Sequence, residues 1–139
     1  MTSSRLKGTI ALTELQHVIS WQRVEGVALM GFFAFKFFEL GVAWWWLPLI
    51  LFTFDISMLG YLVNNKVGAF CYNLGHTSIL SLVLLLLGHY YPSVVAYNVV
   101  GFIWLVHIGM DRAFGFGLKL HKGFRHTHLG IIGTSDHKS

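Results

Sequence analysis

The chain has 139 residues, 55% hydrophobic, 16% aromatic and 12% charged, with a net charge of +4. A soluble domain carries about twice that charged fraction, and a mean hydropathy of +0.62 points to the bilayer as solvent, with no soluble basic domain to engage nucleic acid. The single Cys71 excludes an intrachain disulfide, reads as a packing residue in an apolar helix, and leaves the redox compartment open.

Four apolar segments follow one another with short loops: about 21–38, 42–63, 67–88 and 92–115. Segments two to four have the roughly 20 residues needed to cross a bilayer. The first has a shorter uninterrupted run, for which an interfacial or tilted helix is an alternative. It carries Arg23, Glu25 and Lys36 and ends without a small-residue cleavage site, unlike a signal peptide. Glu39-Leu40-Gly41 ends it. Asn64-Asn65-Lys66 makes a polar turn after the second segment. Gly88-His89-Tyr90-Tyr91-Pro92 closes the third and places proline at the start of the fourth, which Gly115 and Gly117 terminate. No internal repeat divides the chain. Residues 1–139 read as one transmembrane domain with a C-terminal segment, about 116–139, on the cytoplasmic side.

Arg5, Lys7, Arg23, Lys66, Lys119, Lys122, Arg125 and Lys138 all fall on one side if both termini are cytoplasmic, and only Lys36 lies toward the other. Trp44-Trp45-Trp46 and Tyr90-Tyr91 then sit at the outer interface, where amphipathic rings prefer to lie. The fold class is therefore all-α: an integral membrane four-helix bundle with both termini cytoplasmic.

Ionisable groups inside such segments cost several kcal/mol each unless they find partners in the bundle interior. At a rise of about 1.5 Å per residue, Asp55 lies roughly 12 Å from the cytoplasmic end of its helix. Asn73 and His76 lie roughly 10 to 15 Å deep, and His107 and Asp111 roughly 12 to 18 Å. Asn73 and His76 are spaced i, i+3, and His107 and Asp111 i, i+4, so each pair shares a helix face. Gly60, Gly68, Gly75, Gly101 and Gly109 permit close helix approach. Two imidazoles and two carboxylates form a ligand set for zinc, iron or manganese, with Asp55, His76, His107 and Asp111 as the ligands. The blander reading is a hydrogen-bonded network, such as Asp111–Arg112–Asp55, that only fixes helix packing.

Further groups cluster toward the cytoplasmic mouth. Glu25 lies shallower and could turn inward as a third carboxylate. Gly115-Phe116-Gly117-Leu118-Lys119 and Gly123-Phe124-Arg125-His126-Thr127-His128 could fold over the bundle and bring Lys119, His126 and His128 to the site, as ligands or for an anionic head group. A basic interfacial tail is the alternative. His17, His89, His121 and His137 read as solvated.

Several of these stretches carry a family resemblance. Phe54-Asp55-Ile56-Ser57-Met58-Leu59-Gly60-Tyr61, Tyr72-Asn73-Leu74-Gly75-His76 and Trp104-Leu105-Val106-His107-Ile108-Gly109-Met110-Asp111-Arg112 match motifs of one family in order. Phe114-Gly115-Phe116-Gly117-Leu118-Lys119 and Thr127-His128-Leu129-Gly130 complete the set. Together they resemble the bacterial domain of unknown function 4260 family, over about residues 23–130. The resemblance implies a small four-helix protein of the bacterial inner membrane and carries no substrate or activity with it. In that family proline often precedes the aspartate. Here Phe54 stands in its place, which bears on the local helix bend.

Four functions fit the residues. The first is a metal-dependent hydrolase acting on a lipid-soluble substrate from the inner leaflet, with a metal-bound water as nucleophile and Asn73 or Arg112 stabilising negative charge. Asp55 and Asp111 take part in the chemistry in this reading. The second is a metal-free isomerase or cyclase of an isoprenoid, with a protonated aspartate as general acid. The third is a proton or ion pathway or a small-molecule binding subunit, alone or with paired protomers. The fourth is a scaffold whose polar layer sets helix register.

Overall fold

The computed structural model describes residues 3–128 and 130–131, with side chains from Thr13 to His128. Of the predicted inner cations, Arg5, Lys7 and Lys138 lie outside these side chains, as do His137 and Leu129 of the fifth motif. Helix α1 spans Ser3–Glu39 and is followed by α2 (Trp46–Leu51), which runs directly into a 3₁₀ helix, Phe52–Leu62. Helices α3 (Asn65–His76), α4 (Ile79–Tyr90) and α5 (Val95–Phe114) follow, then a two-residue antiparallel ladder of β1 (His126–Thr127) and β2 (Gly130–Ile131). The four expected segments are thus four helical passes of the bundle, and the first three each depart from prediction.

The first pass is longer than expected, since α1 begins at Ser3 rather than near Trp21. Gly41, at φ 66°, makes the tight turn that stops it, a left-handed conformation that costs glycine nothing. The second pass tightens halfway. Exposed positions recur every third residue, at Thr53, Ile56, Leu59 and Leu62, the repeat a 3₁₀ helix imposes by eclipsing side chains three apart. Such helices seldom exceed three or four residues, and this one, without proline, carries Asp55. Its row of Ser57 and Gly60 lies against α3: a Cβ on Gly60 would stand 3.1 Å from the Val67 carbonyl, and one on Gly75 3.2 Å from Ser57 Oγ.

The third pass is broken. Asn64 caps α3 by accepting from the Val67 amide at 2.9 Å, the expected polar turn acting as an N-cap. At Thr77 the backbone is extended (φ −99°, ψ 149°), and α4 restarts two residues later. The break frees carbonyls that a continuous helix would satisfy. The Trp104 indole N–H donates to the Gly75 carbonyl at 2.5 Å, and the Thr77 hydroxyl donates to that of Leu74 at 3.4 Å. No proline marks this position, so the segment reads as unbroken in the sequence.

Helix α5 is the central element and packs on α1, α2, α4 and the 3₁₀ helix. Its residues Gly101, Ile103, Leu105, Val106, His107, Ile108 and Gly109 are buried. Phe37, Leu51, Ile103 and Val106 form the core, with Phe33, Phe54 and Phe102 packed around them. Helices α1 and α5 cross almost backbone to backbone: a Cβ on Gly109 would lie 2.6 Å from the Met30 amide, and one on Gly26 2.6 Å from the Gly109 carbonyl. Gly115 (φ 86°) closes α5, its amide bonded to the Arg112 carbonyl and that of Phe116 to the Asp111 carbonyl, the pattern of a Schellman cap.

The faces turned away from this core are apolar. Val24, Phe32 and Phe35 on α1, Ile56 and Leu59 on the 3₁₀ helix, and Ile79, Leu82 and Leu86 on α4 are all exposed. One stretch, Asn65–Tyr90, is long and apolar enough to cross a membrane, with a mean hydropathy of 1.7, and Trp46–Leu62 is a shorter apolar helix. The expected bundle has four spans. Helix α5 is diluted by Asn98, His107, Asp111 and Arg112, the polar residues that single it out, and α1 by Arg23, Glu25 and Lys36.

Candidate metal centre

The polar layer does converge. His76 ends α3, His107 lies mid-way along α5, Asp55 comes from the 3₁₀ helix and Asp111 from one turn beyond His107. The two imidazole Nε2 atoms are 3.0 Å apart. Asp55 Oδ1 is 3.6 Å from His76 Nε2 and 3.7 Å from His107 Nε2. Asp111 Oδ2 lies 3.4 Å and 4.0 Å from the same two nitrogens. In the triad Asp55, His76 and His107, each residue offers a donor atom within 4.8 Å of the others'; Asp111, expected as a fourth ligand, stands beside the two imidazoles but outside that group.

This spacing fits a cation. Ligand bonds of about 2.0–2.1 Å in a tetrahedron hold donors about 3.3 Å apart, and the separations above bracket that value. The proton arrangement points the same way. His76 Nδ1 lies 2.8 Å from the Tyr72 carbonyl, which can only accept, so Nδ1 donates and, in the neutral ring, Nε2 keeps the lone pair. That is how metal-binding histidines are held. His107 is fully buried, fixed between α5 and the ring of Phe54, whose centroid is 5.5 Å from its own. Phe54 in turn stacks on Trp104 at 4.7 Å. Phe54 therefore packs directly against one imidazole of the site.

Tyr72 is the functional-site residue that the sequence alone does not single out. Its ring stacks on His76 at 3.7 Å and 12°, and its hydroxyl donates to Asp111 Oδ2 at 3.1 Å. Its position four residues before His76 is the available signal, since such residues share a helix face. Trp104 likewise stands out only as part of a motif, and its role depends on the break in the third pass.

Asn73 lies at the expected depth, but its amide faces the C-terminal segment. Its Oδ1 accepts from the Lys119 amide at 2.7 Å and its Nδ2 donates to the Lys119 carbonyl at 2.9 Å. Both polar ends of the side chain clamp one residue, which makes Asn73 a positioning residue. Lys119 is itself buried, donating to the Phe124 carbonyl at 2.9 Å and standing 5.0 Å from the centre of the Tyr72 ring. Burial pushes its ammonium below the usual lysine range, partly offset by the Asp111 carboxylate.

The C-terminal segment does fold over the site's end of the bundle. His128 Nδ1 accepts from the Leu118 amide at 2.9 Å, and Lys119 bridges to Thr127. A cavity of about 590 Å³ lies beneath, lined by Tyr72, His76, Asp111, Arg112, Glu25 and His128 together with apolar residues from α1 and the segment itself. His128 reaches this cavity and His126 does not line it. Glu25 does turn toward it, 3.8 Å from the Arg112 guanidinium, but joins no metal-ligand group among the described residues.

A family model described as Domain of unknown function (DUF4260) matches residues 19–132, and the chain belongs to that family. No curated protein and no solved structure matches it.

Proposed function

We propose that this DUF4260 protein is a metal-dependent hydrolase of the bacterial inner membrane, acting on a lipid-soluble substrate that enters at the cytoplasmic half of the bilayer. One observation carries the reading: two imidazole Nε2 atoms 3.0 Å apart, both within 4.0 Å of carboxylate oxygens from two other turns of chain. Zinc, iron or manganese suits two imidazoles and two carboxylates, whose charges balance a divalent ion in an apolar bundle.

A bound ion would supply a water acidic enough to ionise near neutral pH. The chain's own groups do the rest. The Tyr72 carbonyl keeps His76 in the ligating tautomer, and the Tyr72 hydroxyl orients Asp111. Arg112, on the cavity wall beside Asp111, stabilises negative charge as it develops on substrate. The oxyanion role open to either Asn73 or Arg112 passes to Arg112 alone, since the Asn73 amide is spent on Lys119. The apolar outer faces of α1, the 3₁₀ helix and α4 support reading the bundle as multi-pass, and Arg23, Lys66, Lys119 and Arg125 support a cytoplasmic side for the site's end.

The test is elemental analysis of protein extracted in mild detergent, paired with hydrolysis assays on amphiphilic esters and phosphates. We expect about one divalent ion per chain, lost in a His76→Ala, His107→Ala double variant, and an activity that chelator abolishes and metal restores. Protein without stoichiometric metal that gains no activity when metal is supplied overturns the proposal. Activity indifferent to chelator would transfer the chemistry to a protonated aspartate.

A further inference from the structure

The cavity beside the metal centre has a chemical character of its own. Its lining mixes apolar residues, Val18, Trp21, Ile108, Phe116 and Leu118, with polar ones, Gln22 and Glu25 from α1 and Tyr72, His76, Asp111, Arg112 and His128. Arg112 is the only arginine or lysine among the lining residues. Its stem lies against Gly26 of α1, where any side chain would collide with it: a Cβ there would meet the Arg112 Cβ at 2.8 Å. Among the described residues its guanidinium has one charged partner, Glu25, at 3.8 Å, beyond hydrogen-bond reach. Glu25 is exposed and leaves the fork of donors unspent.

A half-buried guanidinium with unspent donors is matched by a planar or tetrahedral anion, which it grips through two parallel hydrogen bonds. The apolar part of the lining, Val18, Trp21, Ile108 and Phe116, suits a hydrocarbon chain. We infer that the cavity binds a single-chain alkyl phosphate monoester, its phosphate gripped by Arg112 and its chain laid between Trp21 and Phe116, so that hydrolysis would release the alcohol and inorganic phosphate. This names the substrate class for the hydrolase proposed above and rests on that reading for the fate of the ligand, though not for its binding. The Glu25 carboxylate competes with the head group for Arg112 and so weakens its capture.

The test is equilibrium binding of radiolabelled dodecyl phosphate to the full chain in neutral phosphatidylcholine nanodiscs. It is run with chelator present, so that a failed metal site and a failed anion site are read separately. Dodecyl maltoside and inorganic phosphate serve as competitors. We expect Arg112→Gln to weaken dodecyl phosphate binding by about tenfold to a hundredfold and Arg112→Lys by less. Glu25→Gln should tighten it several-fold. Binding of dodecyl maltoside should be unchanged in all three, which also establishes that the variants fold. Inorganic phosphate should need at least about tenfold higher concentration to compete, because it forgoes burial of the chain. Equal binding by wild type and Arg112→Gln overturns the assignment, as does dodecyl maltoside binding as tightly as dodecyl phosphate. Inorganic phosphate competing at equal concentration overturns the amphiphile.

Discussion

Helices α3 and α4 are each twelve residues long and belong to one apolar stretch, yet they have almost nothing else in common. Helix α3 presents Tyr72, Asn73 and His76 to the bundle, the first and last tied to α5 and Asn73 to the C-terminal segment. Helix α4 buries Ser81 and Gly88, and the Ser81 hydroxyl merely returns to the Ser78 carbonyl at 2.8 Å. The extended backbone at Thr77 lies between them. Polar side chains inside an apolar bundle are retained where they have partners, and the partners of Tyr72, Asn73 and His76 all lie on the α3 side of the break.

The contrast can be tested where each helix meets α5 or its neighbours. The largest effect is expected at Gly109, next to the site, where a Cβ would strike the Met30 backbone at 2.6 Å. Gly109→Ala should destabilise by about 3 kcal/mol, read as a lowered midpoint of thermal unfolding in detergent. The matching change facing α4, Gly101→Ala, meets chiefly the Leu85 side chain, Cδ2 at 2.7 Å and Cγ at 3.0 Å, with the Ser81 carbonyl at 3.3 Å. A flexible side chain gives way and alanine is the better helix former, so its net cost should stay within about 1 kcal/mol. Equal losses at both glycines would erase the distinction between the two faces.

Asn73→Ala removes both hydrogen bonds to Lys119 and should cost about 1–3 kcal/mol. The amides of residues 116–128 should exchange with solvent faster while those of α4 stay protected. Exchange rising equally in α4 would show that the clamp is not local. Tyr72→Phe keeps the stack on His76 and deletes only the bond to Asp111. It should cost about 1 kcal/mol of stability and lower metal affinity about tenfold to a hundredfold, measured by competition with a chelator. An unchanged affinity would leave Asp111 without a need for its orienting partner. The smallest effect is expected on the outer face of α4, where Leu82→Ile should stay within about 0.5 kcal/mol and leave metal content as it was.

Much of the site is legible in the sequence. The i, i+4 pair His107/Asp111 sits on a helix whose period is certain from its apolar run, and the depth of Asp55 and His76 follows from counting residues to the nearest polar turn. Helix ends at Gly41, Asn64 and Gly115 are equally plain, because tight turns and caps demand particular residues. The break at Thr77 is not legible. No proline stands there, and the groups that satisfy its freed carbonyls include Trp104, twenty-nine residues away along the chain from Gly75. The 3₁₀ winding of Phe52–Leu62 is hidden for a similar reason, since its period of three emerges only from packing against α3.

Taken alone, the order of residues determined that this is an all-helical chain with four apolar segments, and that Asp55, His76, His107 and Asp111 fall at similar depth along them. Hydrophobic period and residue count are local properties, so they need no knowledge of neighbours. Which atoms meet was decided by the tertiary fold. A helix can turn about its axis without changing its sequence pattern, and only the glycine contact of α1 with α5, the tightened second pass and the interrupted third pass set the rotations. Those rotations brought His76 and His107 face to face, sent Asn73 to Lys119, and gave Tyr72 its place beside Asp111.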